Sequence, residues 1–304
     1  VTSGQVPERR SARSVLKWVL LIALVTFFAG LLFGYDQGVI AGADGHVGRW
    51  LVGRLGELGV EARPIPREGD AAAAIAGCAT VVHLAGALAP EKPNTYELAN
   101  VGTVRRTVEG IAQAGGVERL AYVSYVGASP SSRNAYLRSK GQAEELVRDS
   151  GAQATILRCP LIIGEPSRPG PTAEAFLASG NKPIRALGDG RQLVAPLYAG
   201  DLVSMLVCVA TGQGPAGTFE LGGPETMPID DLIHIINHPD ISVRYTPVLA
   251  AAALVPFSRQ LTSALVGVMG SDSVPIDNPR ESAAAFGVEL TPIDTVWPQA
   301  PLGG

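Results

Sequence analysis

The chain has 304 residues, enough for one large α/β domain or for such a domain with a small appended lobe. Charged residues make up only 17% of it and the net charge is −4, which excludes the basic surface that nucleic-acid binding requires. Its three cysteines are odd in number and lie in apolar runs, which indicates reduced thiols in the cytoplasm, and no metal site is expected from its four histidines. We therefore expect a small-molecule partner.

The N-terminal part joins a basic head to an apolar run. Arg9, Arg10 and Arg13 precede residues 18–33, which carry no charge. The run is at the short limit of what spans a bilayer, so it predicts a membrane helix, with a signal peptide as the alternative.

Residues 16–43 resemble a transporter segment. The sequence from Gly30 to Ala43 reads GLLFGYDQGVIAGA, which is similar to the signature of the first transmembrane helix of major facilitator sugar transporters. Such a transporter needs about a dozen spans, and the only other apolar run, residues 248–257, is too short. We expect a transporter-like head joined to a different protein near Gly42, by gene fusion or by an error in the gene model, and no transport function.

Glycines recur at every third position just after this head. Gly42, Gly45 and Gly48 precede apolar residues at helical spacing within residues 50–58. This pattern predicts a strand-to-helix elbow whose backbone N–H groups and helix N-terminus bind a diphosphate. The strand before it would be Gln37–Ala41, which is minimal in length.

A diphosphate site of this kind conflicts with an N-terminal helix that spans a membrane. By the positive-inside rule, the basic head would remain in the cytoplasm and send the domain across the bilayer, away from its cofactor. The nucleotide motif is the stronger signal, so we expect a cytoplasmic protein. Membrane contact through residues 16–34 stays open.

The next elements alternate between strands and helices. Residues 60–67 predict a strand, and Arg67 at its end favours the 2′-phosphate of NADP, although Glu68 keeps NAD open. Residues 70–76 predict a short helix, and residues 80–86 predict a buried parallel strand that ends in small residues. No further strand fits between Arg67 and this helix, so the sheet is expected to be one strand short.

A tyrosine and a lysine share one helix face further along the chain. Residues 100–111 predict a helix, residues 120–124 a strand and residues 136–147 another helix, on which Tyr136 and Lys140 lie at i and i+4. An ammonium near a phenol lowers the pKa of the phenol towards neutral pH. The pair therefore predicts a general acid or base for the interconversion of a carbonyl and an alcohol.

The C-terminal part carries weaker signals. Asp201 predicts the N-cap of a helix over residues 202–209, residues 217–221 predict a strand, and Thr226 predicts the cap of a helix that ends at Ile236. Residues 248–269 predict a buried helix pair, with an apolar surface as the alternative.

Together these motifs resemble a known family. The chain presents, in order, the glycine triplet, HLAG at residues 83–86, Asn100-x-Gly102-Thr103, Ser124, Tyr136-x-x-x-Lys140 and RCPLIIG at residues 158–164. This order resembles the short-chain dehydrogenase/reductase superfamily. The nearest branch is the extended and atypical NAD(P)-binding epimerase/dehydratase type, which includes relatives of a complex I accessory subunit. The similarity covers about residues 38–290.

The resemblance implies an α/β fold, a doubly wound parallel-sheet Rossmann fold with a small C-terminal substrate lobe and an N-terminal hydrophobic helix. The basic head and hydrophobic helix would occupy residues 1–36. The NAD(P)-binding domain would occupy residues 37–190, and the lobe that completes it residues 191–304.

The resemblance also implies individual roles. Tyr136 would donate or accept the proton, and Lys140 would hold the nicotinamide ribose and lower the pKa of the tyrosine. The family shows two hydroxyl residues at the end of the fifth strand, where this chain has Ser124 and Tyr125, so Ser124 or Ser129 would polarise the substrate. The residues implied or predicted to bind the cofactor are Gly42, Gly45, His46, Val47, Gly48, Arg67, Leu84, Ala85, Gly86, Asn100, Tyr136, Lys140, Pro160 and Ile163.

Three functions follow. The first is an NAD(P)-dependent oxidoreductase or epimerase that transfers hydride to or from a small carbonyl, alcohol or sugar-nucleotide substrate. The second is a non-catalytic NAD(P)-binding sensor, or an accessory or assembly protein at a membrane, which the unusual Tyr125 favours. The third is a fusion whose short first strand prevents folding. A structural role for Ser124, as a strand-end hydroxyl bonded to backbone, also stays open.

Overall fold

The computed structural model describes residues 42–66, 69–90, 94–180, 182–237, 239–258 and 261–298. The predicted first strand, Gln37–Ala41, lies outside these ranges, as do Arg67 and the N-terminal apolar run with its transporter-like sequence. Within them, no helix is long and apolar enough to cross a membrane.

Strands and helices alternate through most of the described chain. In chain order the strands are β1 (Thr80–His83), β2 (Arg119–Tyr125), β3 (Gln153–Cys159), β4 (Ile162–Ile163), β5 (Ile184–Leu187), β6 (Leu193–Val194), β7 (Leu197–Tyr198), β8 (Gly217–Glu220), β9 (Met227–Pro228) and β10 (Val243–Thr246). The helices are α1 (His46–Glu57), α2 (Ala71–Ile75), α3 (Thr103–Ala114), α4 (Ala135–Arg148), α5 (Gly170–Phe176), α6 (Ala199–Ala210), α7 (Ile229–Ile236), α8 (Val248–Leu254), α9 (Ser263–Met269), α10 (Pro279–Ala284) and α11 (Ile293–Val296).

The main sheet of the described chain is parallel, in the strand order β1-β2-β3-β8. The connection from β1 to β2 contains α3, and the connection from β2 to β3 contains α4. A parallel pair requires a crossover of this kind, usually a helix. The fold is therefore α/β with a parallel sheet of the Rossmann type.

Alternate side chains of the sheet face two different helical layers. On β2, Leu120 and Tyr122 pack with α2, α3 and α4, whereas Ala121 packs with α1 and α6. On β3, Ile156 belongs to the first layer and Leu157 to the second. All five side chains are almost fully buried, as the period of two in a strand requires when both faces are covered.

The part of the chain after β3 builds a smaller lobe. It contains the two-stranded pairs β4 with β7, β5 with β10 and β6 with β9. Strand β8 returns from this part to the edge of the main sheet, beside β3. The predicted helix pair at residues 248–269 is present as α8 and α9, which pack with Tyr136 of α4, while Leu249 and Phe257 remain 85% and 78% exposed.

The prediction of a strand at residues 60–67 is wrong for residues 60–66, which the structure describes. Residues 60–66 form no strand, and Pro64 and Pro66 supply a physical reason. Proline has no backbone N–H to donate to a sheet ladder, so two of them in one short segment prevent regular pairing.

Two predicted helix caps are also wrong. Helix α6 begins at Ala199 rather than after Asp201, whose carboxylate accepts the backbone N–H and the hydroxyl of Thr291 at 2.8 and 2.9 Å. Thr226 does not cap α7, because Met227 and Pro228 first pair with β6 as strand β9. In both cases a contact distant in sequence replaced the local one.

Candidate active site

The glycine elbow places the N-terminus of α1 beside the main sheet. Gly42 adopts a left-handed backbone with φ of +54°, and its carbonyl accepts the N–H of Gly45 at 3.2 Å. A Cβ atom on Gly48 would lie 1.9 Å from the carbonyl oxygen of Gly42, so only glycine fits. Helix α1 then begins at His46. Since the first N–H groups of a helix have no intrahelical partner, this end can bind an anion.

A cleft leads from this elbow to helix α4. Its empty volume is about 840 Å³, with the space open to solvent included. Predicted site residues that line it are Gly42, His46, Val47, Gly48, Leu84, Gly86, Asn100, Ser124, Tyr136, Lys140 and Pro160. The structure thus brings the glycine elbow, the loop after β1 and the Tyr136–Lys140 pair into one cleft.

Three predicted cofactor contacts do not line the cleft. Ile163 on β4 is completely buried in the core of the smaller lobe, and its neighbour Ile162 lines the cleft instead, because adjacent strand residues point in opposite directions. Gly45 and Ala85 are also absent from the lining. Arg67 lies outside the described residues.

Lys140 is a buried cation at the floor of the cleft. Its Nζ donates to the carbonyl of Val123 at 2.8 Å and lies 4.4 Å from the ring centroid of Tyr122. Burial lowers the pKa of Lys140 to about 8, against the opposing effect of the Glu144 carboxylate. The ammonium is therefore still the main form at neutral pH.

Tyr136 lies one turn before Lys140 on the same helix. Asn134 caps the helix, because its side-chain oxygen accepts the N–H groups of Tyr136 and Leu137 at 3.0 and 3.3 Å. The Tyr136 ring is 7% exposed, and its centroid lies 5.6 Å from that of Tyr125 and 6.1 Å from that of Tyr96. The phenol therefore meets the cleft from an aromatic wall.

Asn100 fixes the loop that follows β1. Its Nδ2 donates to the carbonyl of Ala87 at 3.1 Å and to the hydroxyl of Ser139 at 2.9 Å, and its Oδ1 accepts the N–H of Ala87 at 2.8 Å. A Cβ atom on Gly86 would lie 2.7 Å from that Oδ1. Asn100 thus ties this loop to α4 and keeps the backbone at Gly86 close to the cleft.

The Ser124 hydroxyl is bonded to a buried carboxylate. It donates to Glu144 at 2.7 Å, and Arg158 and Arg148 donate to the same carboxylate at 2.7 and 2.8 Å. Burial opposes ionisation of Glu144, but the hydrogen bonds from Arg158 and Ser124 outweigh it and lower the pKa. Since its proton points to Glu144, Ser124 presents no free donor to a substrate.

Tyr125 occupies the second of the two positions where the family has hydroxyl residues. It lines the cleft, and its phenolic oxygen lies 2.9 Å from the hydroxyl of Ser273. Ser129, the other predicted substitute, does not line the cleft, and its hydroxyl pairs with that of Ser131 at 3.0 Å. Sequence reasoning noticed Tyr125 only as a departure from the family pattern.

Glu144 was missed by the sequence analysis, although the sequence carried a signal for it. Tyr136, Lys140 and Glu144 lie at i, i+4 and i+8, so they share one face of α4. An acid at that spacing is common on exposed helices, and only burial against the sheet brings it into contact with Ser124 beside the cleft.

The donor set at the elbow fits a polar ligand. His46 lines the cleft, and within the described ranges its buried Nε2 has no hydrogen-bond partner. Burial, with the positive charges of Arg168 and Arg49, lowers the pKa of His46, so the ring is neutral at neutral pH. The free helix N-terminus, the close-packed Gly48 and this unpaired nitrogen together fit a dinucleotide.

Comparisons with known proteins point to NAD(P)-binding relatives. A family model described as NAD(P)H-binding matches residues 64–182. The Arabidopsis thaliana protein named NADH dehydrogenase (ubiquinone) 1 alpha subcomplex subunit 9, mitochondrial, is 28% identical over 233 residues, 66% of this chain and 58% of that protein. The Pseudomonas aeruginosa UDP-2-acetamido-2,6-beta-L-arabino-hexul-4-ose reductase is 34% identical over 139 residues, 43% of this chain and 37% of that protein.

A solved structure shows the same fold. MoeE5 in complex with UDP-glucuronic acid and NAD superposes with a TM-score of 0.66 at 18% identity, over 86% of this chain and 96% of that one. The chain spans 58% and 37% of the lengths of the two curated relatives.

The fold and the cleft define a Rossmann-type NAD(P)-binding protein. The matches support an NAD(P)-binding Rossmann protein similar to the epimerase/dehydratase-like type of the short-chain dehydrogenase/reductase family, as the motifs predicted. The prediction of a nicotinamide dinucleotide as cofactor is confirmed. The preference for NADP depends on Arg67 and stays a prediction.

Proposed function

We propose that this protein is an NAD(P)-dependent oxidoreductase that interconverts a carbonyl and an alcohol, with Tyr136 as the general acid or base. One observation carries the proposal: Tyr136 and Lys140 line the same cleft as the glycine elbow. A tyrosine and a lysine at the same spacing on a solvent-exposed helix would not lie beside a dinucleotide site.

The chain's own groups have distinct tasks in this proposal. The N-terminus of α1 holds the diphosphate, and Lys140 holds the nicotinamide ribose. When bound, the reduced nicotinamide supplies a hydride to the substrate carbon. Tyr136 moves the proton to or from the substrate oxygen, and the ammonium of Lys140 stabilises the phenolate that forms when the proton leaves. Apolar walls around Tyr136 exclude water from this step.

The test is the Tyr136→Phe variant of the full chain. Removal of a general acid or base costs about 10²–10⁴-fold in turnover, and we expect NADPH affinity to stay within about twofold, because the phenyl ring keeps its packing. Turnover is followed by NADPH oxidation, and affinity by thermal shift with NADPH and NADH. Unchanged turnover in the variant would reject the assignment of Tyr136.

A second candidate function is an NAD(P)-binding accessory protein without turnover. Two observations favour it: the Ser124 hydroxyl is bonded to Glu144, and one relative is named as a subunit of NADH dehydrogenase. This candidate predicts that NADPH raises the melting temperature while no carbonyl or sugar-nucleotide substrate is converted. NADPH oxidation that depends on an added substrate and on Tyr136 would reject it.

A further inference from the structure

We propose that Thr172, in the first turn of α5, is a second binding group for the diphosphate of the cofactor. Its hydroxyl donates a hydrogen bond to a phosphate oxygen, so the bound dinucleotide joins the smaller lobe to α1. The inference depends on cofactor binding and not on turnover, and it therefore goes beyond the proposed function.

Thr172 presents an unsatisfied polar group to the cleft. The residue is only 4% exposed, yet it lines the cleft together with Pro171. Within the described ranges its hydroxyl forms no hydrogen bond, and the fully buried side-chain atoms that lack a partner there are His46 Nε2 and the Tyr122 hydroxyl. The Thr172 hydroxyl therefore keeps access to the cleft. Since nearly all buried polar groups are hydrogen-bonded, it is available to a ligand.

The hydroxyls at the end of β2 differ from Thr172 in this respect. Ser124 donates to Glu144 at 2.7 Å, and the Tyr125 oxygen lies 2.9 Å from the hydroxyl of Ser273. Both groups line the cleft, but each is engaged with another part of the protein. The wall formed by α5 thus offers a ligand a donor that these two residues do not offer.

Helix α5 begins directly against the start of α1. A Cβ atom on Gly170 would lie 2.9 Å from Nε2 of His46, which is the first residue of α1. Gly170 also adopts a left-handed backbone with φ of +75°, so glycine suits both its conformation and this close approach. Because consecutive Cα atoms are about 3.8 Å apart, Thr172 follows this contact within about 8 Å along the chain. Its hydroxyl is therefore near the end of α1 that binds the diphosphate.

Aromatic contacts hold the residues before α5 on the same helix. The guanidinium of Arg168 lies 5.1 Å from the ring centroid of Trp50, on α1. The Trp50 ring also makes edge contacts with His46 at 6.1 Å and with Tyr198 of β7 at 5.9 Å between centroids. Cation–π and edge-to-face contacts of this kind are each worth about 0.5–1 kcal/mol. They fix the start of α5 relative to the N-terminus of α1.

The diphosphate needs neutral donors in this cleft. Among the described residues that line it, Lys140 alone carries a formal charge, and its ammonium donates to the Val123 carbonyl. The N-terminus of α1 supplies backbone N–H groups. A hydroxyl that donates to an ionised oxygen makes a hydrogen bond about twice as strong as one between neutral groups. Thr172 can therefore add to the binding of the diphosphate without a further charge.

The experiment removes the hydroxyl and compares two ligands on the full chain. Thr172→Val keeps the branched shape of the side chain. Calorimetry measures the affinity for NADPH and for 2′-phospho-ADP-ribose, which keeps the diphosphate and lacks the nicotinamide. NADH and ADP-ribose form the equivalent pair if the protein prefers NAD. We expect the variant to bind both ligands about tenfold or more weakly, and by a similar factor, because both contain the diphosphate.

Two further variants control for packing. Thr172→Ser restores the hydroxyl and should bind NADPH within about threefold of the wild type. Thr226→Val makes the same change at an exposed position that does not line the cleft, and affinity should be unchanged. Melting temperatures check that all variants are folded. Unchanged affinity in Thr172→Val, an equal loss in Thr172→Ser, or a loss for NADPH alone would overturn the inference.

Hydrogen exchange tests the link between the two parts of the chain. NADPH at saturating concentration should slow amide exchange in α1 and α5 of the wild type. In Thr172→Val we expect the protection of α5 to fall while that of α1 persists, and an α5 that gains no protection in the wild type would contradict the link. Weaker binding in this variant without any turnover in the wild type would uphold the inference and reject the oxidoreductase proposal. Turnover that depends on Tyr136, with unchanged affinity in Thr172→Val, would do the reverse.

Discussion

Helix α4 carries two buried charges one turn apart, and their surroundings are opposite. Lys140 faces a carbonyl oxygen and a phenol ring, and burial lowers its pKa to about 8. Glu144 accepts hydrogen bonds from Ser124 and two arginines, and its pKa is lowered as well. The lysine is therefore pushed towards neutrality, whereas the glutamate is held in its charged form.

The difference separates a chemical role from a structural one. A buried charge that is fully hydrogen-bonded to opposite charges joins elements together, here α4, β2, β3 and, through Glu220, β8. A buried cation with a perturbed pKa in a cleft lacks that compensation and is typical of a functional site. Three substitutions and one labelling experiment test this contrast, in order from the largest expected effect to the smallest.

Glu144→Gln should be the most destabilising change. It leaves the partly buried Arg158 with only Glu220 as an opposite charge, and we expect a loss of about 3–5 kcal/mol in the free energy of unfolding. Glu145→Gln, at the next and exposed position, should cost almost nothing. Because the pKa of Glu144 is lowered on folding, its contribution is present above the ordinary carboxyl pKa of about 4.5 and is lost as the pH falls through the folded value. Urea unfolding at several pH values measures the free energy of unfolding and its pH dependence for both variants. Equal losses of stability in Glu144→Gln and Glu145→Gln would refute the buried network.

Lys140→Met should stabilise the protein at neutral pH and impair cofactor binding. Folding lowers the pKa of Lys140 from 10.5 to about 8, so below pH 8 the buried charge costs on the order of 1–3 kcal/mol, which methionine avoids. Between pH 8 and 10.5 the lysine is protonated in the unfolded chain but neutral in the folded one. The wild type therefore becomes more stable as the pH rises through this interval, and the stability advantage of the methionine variant disappears. Thermal unfolding from pH 7 to 10 measures this, with the exposed Lys182→Met as control. A variant less stable than the wild type at pH 7 contradicts the expectation.

Ser124→Ala should lower stability with little effect on turnover. Loss of a hydrogen bond to the Glu144 carboxylate costs about 1.5–3 kcal/mol, of which relaxation of the network recovers a part. Turnover should fall by less than about tenfold, because the hydroxyl points to Glu144. Ser129→Ala, the other residue considered for this role, should change neither quantity. A fall in turnover of about 10²-fold or more with Ser124→Ala would instead place its hydroxyl on the substrate.

Cys159 should resist alkylation although it lines the cleft. Burial raises the pKa of its thiol to about 12, against the opposing effect of the Lys140 charge, so almost no thiolate exists at pH 8. Cys78 and Cys208 are partly exposed and should react with iodoacetamide first. Peptide mass spectrometry over time measures the three rates, and equal labelling of Cys159 would show that the cleft is open to water.

Patterns within one helix or turn were predictable from sequence. The spacing of Tyr136 and Lys140 predicted a shared face on a helix, and the glycine triplet predicted the elbow before α1. Apolar runs predicted β2 and β8 within one residue at each end, and they predicted the start of β1, although β1 ends at His83 rather than at residue 86. Each of these depends on groups a few residues apart, whose geometry the chain imposes by itself.

The two wrong helix caps depended on partners far away in sequence. Asp201 was predicted to cap a helix, but its carboxylate accepts the N–H of Thr291. Thr226 was predicted to cap one as well, but the residues after it pair with β6 as β9. Local propensity gives way when a distant group offers a better hydrogen bond.

The sequence by itself determined the parallel α/β fold, the glycine turn before α1 and the shared helix face of Tyr136 and Lys140, because backbone sterics and helical periodicity act over short distances. Only the tertiary structure decided that Ser124 bonds to Glu144 and that Tyr125 meets Ser273, 148 residues away. Those hydrogen bonds exist because folding buries the groups together, where an unpaired polar atom is costly and the nearest partner is set by the packing of the sheet against its helices.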